Sequence, residues 1–267
     1  MSYSSNLAFL SELIYDNGRV NQAASEGKTH YVGPDGAAWE LNRYESDSSG
    51  YQGAIFKNVD TGEVVLVNRG TEVGVFGGSG PSAFESFRDL VTDAQMGVAA
   101  LPGQFLAAEQ VLDEARKLVG ADGSLTITGH SLGGSISQYL GAAYGITTET
   151  FNAYGVANIL DARGIQVVDA ARITNHVLYY DPVSELPGSK MIGLTLAYKT
   201  TADQILDTAM GAFLAALNIR DSVFDRTLAS HGIGNFQSGE LAALAGQRVT
   251  IDTPGLIGNL ESWIKAF

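Results

Sequence analysis

Apolar residues recur at helical spacing near the start of the chain: Leu7, Leu10, Leu13 and Ile14, interrupted by Glu12 and Asp16. That period predicts an amphipathic helix. Over residues 29–68 the pattern turns to β. Residues 38–44 alternate, and Gln52–Asn58 and Glu63–Asn68 read as two strands joined through Asp60-Thr61-Gly62, a hairpin signal. Residues 70–84 form a Gly-rich loop. Residues 105–119 predict a second amphipathic helix with Leu106, Val111, Leu112, Ala115, Leu118 and Val119 on one face. A β-branched run at 125–128 leads into a helix from Leu132, and strands follow near 149–154 and 173–180. A further helix at 203–218 carries an apolar face of Ile205, Leu206, Ala209, Met210, Phe213, Leu214 and Leu217. Strands that alternate with helices predict an α/β fold in one domain, 1–267. The sheet is mainly parallel, covered on both faces, with an antiparallel N-terminal edge.

Composition narrows the chemistry. The 267 residues are 45% hydrophobic and 17% charged, which marks a globular chain long enough for a sizeable core. Lys+Arg of 16 against Asp+Glu of 29 gives a net charge of −13. That balance argues against nucleic acid and against electrostatic capture by anionic membranes, so lipid contact has to use apolar surface. The absence of cysteine excludes disulfides, thiolate metal sites and a cysteine nucleophile. The N-terminus lacks the positive region of a signal peptide, and no run of 18 apolar residues exists to span a membrane.

The most specific chemistry lies where the 125–128 run meets the helix. Gly129, Ser131 and Gly133 form a Gly-x-Ser-x-Gly turn. With 32 glycines in the chain the bare pattern is weak, and the strand before it and the helix after it give it meaning. Strand, tight turn and helix make the nucleophile elbow of a serine hydrolase. It strains the serine backbone, lifts Ser131 Oγ into solvent and aims helix N–H groups at the reacting carbonyl. A serine hydroxyl needs a base, and the base needs an orienting acid. Of the four histidines, His30 lies far upstream, His130 sits inside the elbow and His176 lies in an apolar strand. His231 alone leaves room for an acid between it and Ser131. Asp181 closes the 173–180 strand before a Pro turn and is the leading acid; Asp161 and Asp169 are reserves. The Leu132 N–H is one oxyanion donor. Thr71, after a strand that ends in Gly70, offers a second, unless this is an ordinary Gly turn.

The segments Val65-Leu66-Val67-Asn68-Arg69-Gly70-Thr71, Thr128-Gly129-His130-Ser131-Leu132-Gly133-Gly134 and Asp181-Pro182-Val183-Ser184-Glu185-Leu186-Pro187, with the late His231, resemble the class 3 lipase family over roughly residues 50–240. The resemblance implies an α/β-hydrolase fold and activity on triacylglycerols or phospholipids. It also implies a Ser131–Asp181–His231 triad, an oxyanion hole of Thr71 and Leu132, and no cofactor or metal. Asn68 stands where the family usually has an aromatic residue. Phe87–Asp93 resembles the family's acidic continuation, and relatives carry a lid just after the oxyanion residue, here 73–84. Resemblance to exported, cysteine-free phospholipases favours phospholipase A1 and export without an N-terminal signal peptide, with a cytoplasmic location as the alternative. The expected partners are a lipid or ester substrate and, transiently, a lipid interface, met through the 73–84 loop or the helix bearing Leu206, Met210, Phe213 and Leu217. A soluble short-chain esterase and a non-catalytic hydrolase-like lipid-binding module are the alternative functions.

Overall fold

The computed structural model describes residues 3–16, 20, 30–70, 103–121, 123–178, 181, 183–184, 188–198 and 233–236. Helix α1 (Tyr3–Leu13) precedes four strands, β1 (His30–Val32), β2 (Ala38–Ser46), β3 (Gln52–Asn58) and β4 (Val64–Asn68). Helix α2 (103–118), β5 (Leu125–His130), α3 (Leu132–Tyr144), β6 (Thr147–Phe151), α4 (Ala157–Ala162), β7 (Ile173–Leu178) and β8 (Leu194–Tyr198) follow. The strands lie in one sheet in chain order. The pairs from β1 to β4 are antiparallel, and those from β4 to β8 are parallel. The antiparallel part is larger than the predicted edge hairpin, because β1 and β2 extend it.

Every residue of β4 is buried, and its alternation feeds two cores. Val65 and Val67 join the core beneath α1, with Leu7, Leu10, Leu13, Ile14, Trp39 and Phe56. Val64 and Leu66 join the core beneath α2, α3 and α4, with Phe105, Leu112, Ile127, Ile136 and Leu140. A strand buried on both sides reads as a continuous apolar run, as Val64–Asn68 nearly does. The four apolar positions of the first helical pattern are all buried, although Ile14 lies just past the end of α1.

Several local expectations are corrected. Alternation in β2 breaks at a bulge between Leu41 and Arg43, which returns Tyr44 to the face of Trp39 and Leu41. Leu106 is exposed rather than part of the α2 stripe; Phe105, Ala108, Leu112 and Ala115 face the core at helical spacing. Strand β6 ends at Phe151 and not near 154, because Asn152 turns the chain with φ 46°. Strands β1 and β8 carry no strong sequence pattern. The 203–218 helix and the 73–84 loop lie outside the described residues. Among the described residues no helix is long and apolar enough to cross a membrane.

Candidate active site

The C-terminal ends of the central strands are aligned by register. Asn68 pairs with Gly129, His130 with Phe151, and Phe151 with His176. Ser131 and Asp181 therefore leave β5 and β7 at the same edge of the sheet, with β6 between them. Functional residues of parallel sheets collect at this edge.

Ser131 follows β5 directly and has φ 58°, ψ −127°. A non-glycine residue in such a conformation carries strain of about 1–3 kcal/mol and persists only where its surroundings enforce it. The enforcement is visible. A Cβ on Gly129 would lie 2.5 Å from the Gly133 carbonyl carbon, and one on Gly133 would lie 2.6 Å from the Arg69 carbonyl carbon and strike the Asn68 carbonyl oxygen. Only backbone fits where β4, β5 and the start of α3 converge. The Ser131 N–H donates to the Phe151 carbonyl at 3.0 Å, and the Ser135 N–H donates to the Ser131 carbonyl at 3.1 Å. Ser131 is the N-cap of α3 without a side-chain capping bond, so its Oγ is not used to close the helix. Leu132 begins the first turn of α3, where helix N–H groups lack intrahelical acceptors. The expectation of a solvent-lifted nucleophile is corrected: Ser131 is only 5% exposed.

Polar side chains pack around the elbow. Tyr51 Oη donates to Asn68 Oδ1 at 2.7 Å, Asn68 Nδ2 to Ser137 Oγ at 2.9 Å, and Ser137 Oγ to the Gly133 carbonyl at 2.8 Å. Burial, with the Glu45 and Asp47 carboxylates adding to it, pushes the Tyr51 hydroxyl well above the ordinary tyrosine range. Asn68 thus ties β4 to the start of α3. On the α1 side Tyr15 Oη lies 3.1 Å from His130 Nδ1, and the Arg69 guanidinium sits over the Tyr15 ring at 5.2 Å. Arg69 also bonds Gln52. A methyl on Gly70 would meet the Tyr15 hydroxyl, the His130 carbonyl at 2.6 Å and Ser131 Cβ at 3.2 Å. Tyr15, His130 and Ser131 all close on the Gly70 backbone, which leaves no room for a Cβ at that position.

Asp181 is fully buried at the turn after β7. Its N–H donates to the Leu178 carbonyl at 2.9 Å, and its Oδ2 accepts from the Ser184 N–H at 2.7 Å. A buried carboxylate requires such donors. The reserve acids serve elsewhere. Asp169 caps the 3-10 turn Ala170–Arg172 through the Ala171 N–H and bonds Arg172 Nε at 3.2 Å, while Asp161 is exposed on α4. His30 is on the exposed edge strand β1. His176 has both ring nitrogens engaged, Nδ1 with Tyr198 Oη at 2.7 Å and Nε2 with Glu149 Oε2 at 3.1 Å, and it stacks on Phe151. These contacts bind it to β6 and β8 within the sheet.

Thr71 and His231 lie outside the described residues. Two residues after His231 the turn Ile233–Phe236 is described. Phe236 is buried, with its ring 5.2 Å from Phe151 and 6.2 Å from Tyr198. The turn is therefore docked at the last residue of β6, beside the strand that ends in the elbow. A cleft of about 530 Å3, lined by Phe105, Tyr154, Ile159, Ala162 and Arg163 among others, opens on the α2 and α4 side. Tyr154 connects it to α3, since its carbonyl accepts from Ser135 Oγ at 2.9 Å. Sequence reasoning missed Tyr15, Tyr51 and Asn152, whose roles depend on contacts distant along the chain.

The Tle-like phospholipase domain, a phospholipase-like family, matches residues 6–217. The chain belongs to this family. Relatives named "Putative lipase ATG15", from two strains of Cryptococcus neoformans var. neoformans serotype D, are 26% identical over 177 residues, covering 52% of this chain and 34% of theirs. The chain thus spans about a third of the length of those relatives. Among solved structures, the Rhizomucor miehei lipase propeptide complex is 14% identical, over 74% of this chain and 67% of that one, with a TM-score of 0.43. Lip2 lipase from Yarrowia lipolytica is 17% identical over 60% and 65%, with a TM-score of 0.34. The family match agrees with the lipase resemblance, and the sheet is mainly parallel with an antiparallel N-terminal part, as the resemblance implies.

Proposed function

We propose that the chain cleaves acyl esters of phospholipids, as a phospholipase A1, through an acyl-enzyme on Ser131. Ser131 Oγ attacks the ester carbonyl while His231 takes its proton. Asp181 holds the His231 tautomer and offsets the imidazolium charge. The oxyanion is met by the Leu132 N–H and by Thr71. His231 then protonates the leaving lysophospholipid alcohol. Water, deprotonated by the same histidine, attacks the acyl-enzyme, releases the fatty acid and restores Ser131. The observation that carries this reading is the strained Ser131 at the start of α3, at the same sheet edge as the buried Asp181. Membership of a phospholipase-like family supports the substrate class.

The test is a substrate series: phosphatidylcholine labelled separately at its two acyl positions, a triglyceride and a soluble short-chain ester, for the parent and for Ser131→Ala. The proposal expects sn-1 fatty acid release by the parent, and a fall in kcat of about 10⁵–10⁶-fold in the variant, as for serine triads in general. Fluorophosphonate should label the parent at Ser131 only. Turnover by Ser131→Ala within tenfold of the parent would overturn the nucleophile. Hydrolysis confined to the soluble ester would overturn the phospholipid assignment and leave an esterase.

A further inference from the structure

Among the described residues two non-glycine residues have positive φ, Ser131 and Asn152. Asn152 is fully buried, follows the last residue of β6 and takes no part in the chemistry above. Asparagine tolerates the left-handed region better than most residues, so the conformation alone is permissible. Its hydrogen bonds give it a role. The peptide unit joining Phe151 to Asn152 accepts the Ser131 N–H on its carbonyl at 3.0 Å and donates its own N–H to the His176 carbonyl at 2.8 Å. The Asn152 side chain then accepts the Leu178 N–H on Oδ1 at 2.9 Å. The Leu178 carbonyl in turn accepts the Asp181 N–H at 2.9 Å.

We propose that Asn152 is a positioning residue that couples the nucleophile to its acid. The chain of bonds runs from the Ser131 backbone through one peptide unit and one carboxamide to the Asp181 backbone. Beyond Phe151 the backbone of β6 has turned away, and β7 would lose its partner there. Asn152 Oδ1 stands in for the missing carbonyl and adds a rung to the ladder. Strand β7 is thereby held to its last residue, and the Asp181 turn starts from a fixed point. Bonds linked through a peptide group polarise one another, which strengthens each. A glycine at 152 would permit the same backbone and lose the rung. This inference rests on the triad reading, since the acid has to be held in register with the base.

The experiment compares Asn152→Gly, which keeps the positive φ accessible, with Asn152→Asp, which keeps an Oδ1 acceptor. The full chain is assayed on a soluble short-chain ester, with thermal unfolding measured beside it. Asn152→Gly should lose about tenfold or more in kcat with KM within about twofold, because misplacement by a fraction of an ångström is felt in the transition state. Asn152→Asp should stay within about threefold of the parent. A lower Tm with unchanged kcat in Asn152→Gly would overturn the proposal and leave a purely structural residue. If Asn152→Gly does not fold, Asn152→Asp decides: a tenfold loss of kcat in a folded protein would equally overturn it. Asp181→Asn run in parallel separates the two readings. Parent-like activity there refutes the triad itself; a large loss there with a parent-like Asn152→Gly refutes only the coupling.

Discussion

Replacing Ser131 by glycine should remove the proposed nucleophile without the stability loss expected at a buried site. Removing a buried methyl costs about 0.8 kcal/mol, and the added freedom of glycine in the unfolded chain costs about 0.4–1 kcal/mol more. At an ordinary position Ala→Gly therefore destabilises. Residue 131 differs because φ 58°, ψ −127° strains any residue with a Cβ, by about 1–3 kcal/mol. Glycine releases that strain. The useful comparison is Ser131→Gly against Ser131→Ala, since neither has the hydroxyl and only the latter keeps the Cβ. The two should lie within about 1 kcal/mol of each other, with glycine equal or ahead. Ala142→Gly is the control, a fully buried position inside α3. It should lose about 2 kcal/mol. Urea unfolding with matched m-values measures all three. If Ser131→Gly were less stable than Ser131→Ala by as much as the Ala142 control falls, the elbow would store no strain and the reasoning would fail.

His231→Ala should lower kcat nearly as far as loss of the serine, whereas His176→Ala should lower Tm and largely spare turnover; steady-state kinetics on a folded His176→Ala with no activity would reverse the assignment. Tyr51→Phe leaves Asn68 Oδ1 without its 2.7 Å donor and should cost about 1–3 kcal/mol in urea unfolding; an unchanged midpoint would show that the bond contributes nothing. The Tyr139 hydroxyl is pushed up to about 12 by burial and by its bond to Glu109. Tyrosine in the unfolded chain ionises near 10, so the contribution of Tyr139 is complete below that pH and is lost as pH rises toward the folded value. Tyr139→Phe should therefore show a shallower loss of stability across this alkaline window in pH-dependent unfolding, and a slope identical to the parent would contradict that.

The elbow was legible because its chemistry constrains backbone as well as side chains. Glycines at 129 and 133 around a serine predict a tight strand–turn–helix junction once a β run precedes them and a helix follows, and that geometry is present. The place of Asp181 just beyond the end of β7 was legible for a related reason, as a carboxylate that follows an apolar strand and opens a Pro turn. His176 could be set aside because its neighbours are apolar, and its two bonded nitrogens agree. The bulge in β2 was not legible, since a single extra residue leaves composition and period almost unchanged. The Leu106 error shows the limit of a broad apolar face: when most positions in a window are apolar, the period does not say which of them point outward. Asn152 was hidden for another reason. Nothing in Phe151-Asn152-Ala153 distinguishes a strand that continues from one that turns, and the deciding partner, Leu178, lies 26 residues on.

The two kinds of packing in this fold have different tasks at the site. The apolar cores above and below β4 supply most of the stability, but burial of apolar surface is non-directional. They do not by themselves fix Ser131. The fixing falls to directional contacts that tolerate no slide. Glycine backbones touch where β4, β5 and α3 meet. The Tyr51–Asn68–Ser137 bonds join β4 to α3, and the Phe151–Asn152 peptide joins β5 to β7. The two sets of bonds tie different pairs of elements, and the glycine contacts hold β4, β5 and α3 together at the turn. Strain of about 1–3 kcal/mol at one residue is small beside the cost of breaking several buried hydrogen bonds at about 1–3 kcal/mol each. The serine stays in its strained conformation because relaxing it would require several of these bonds to break together.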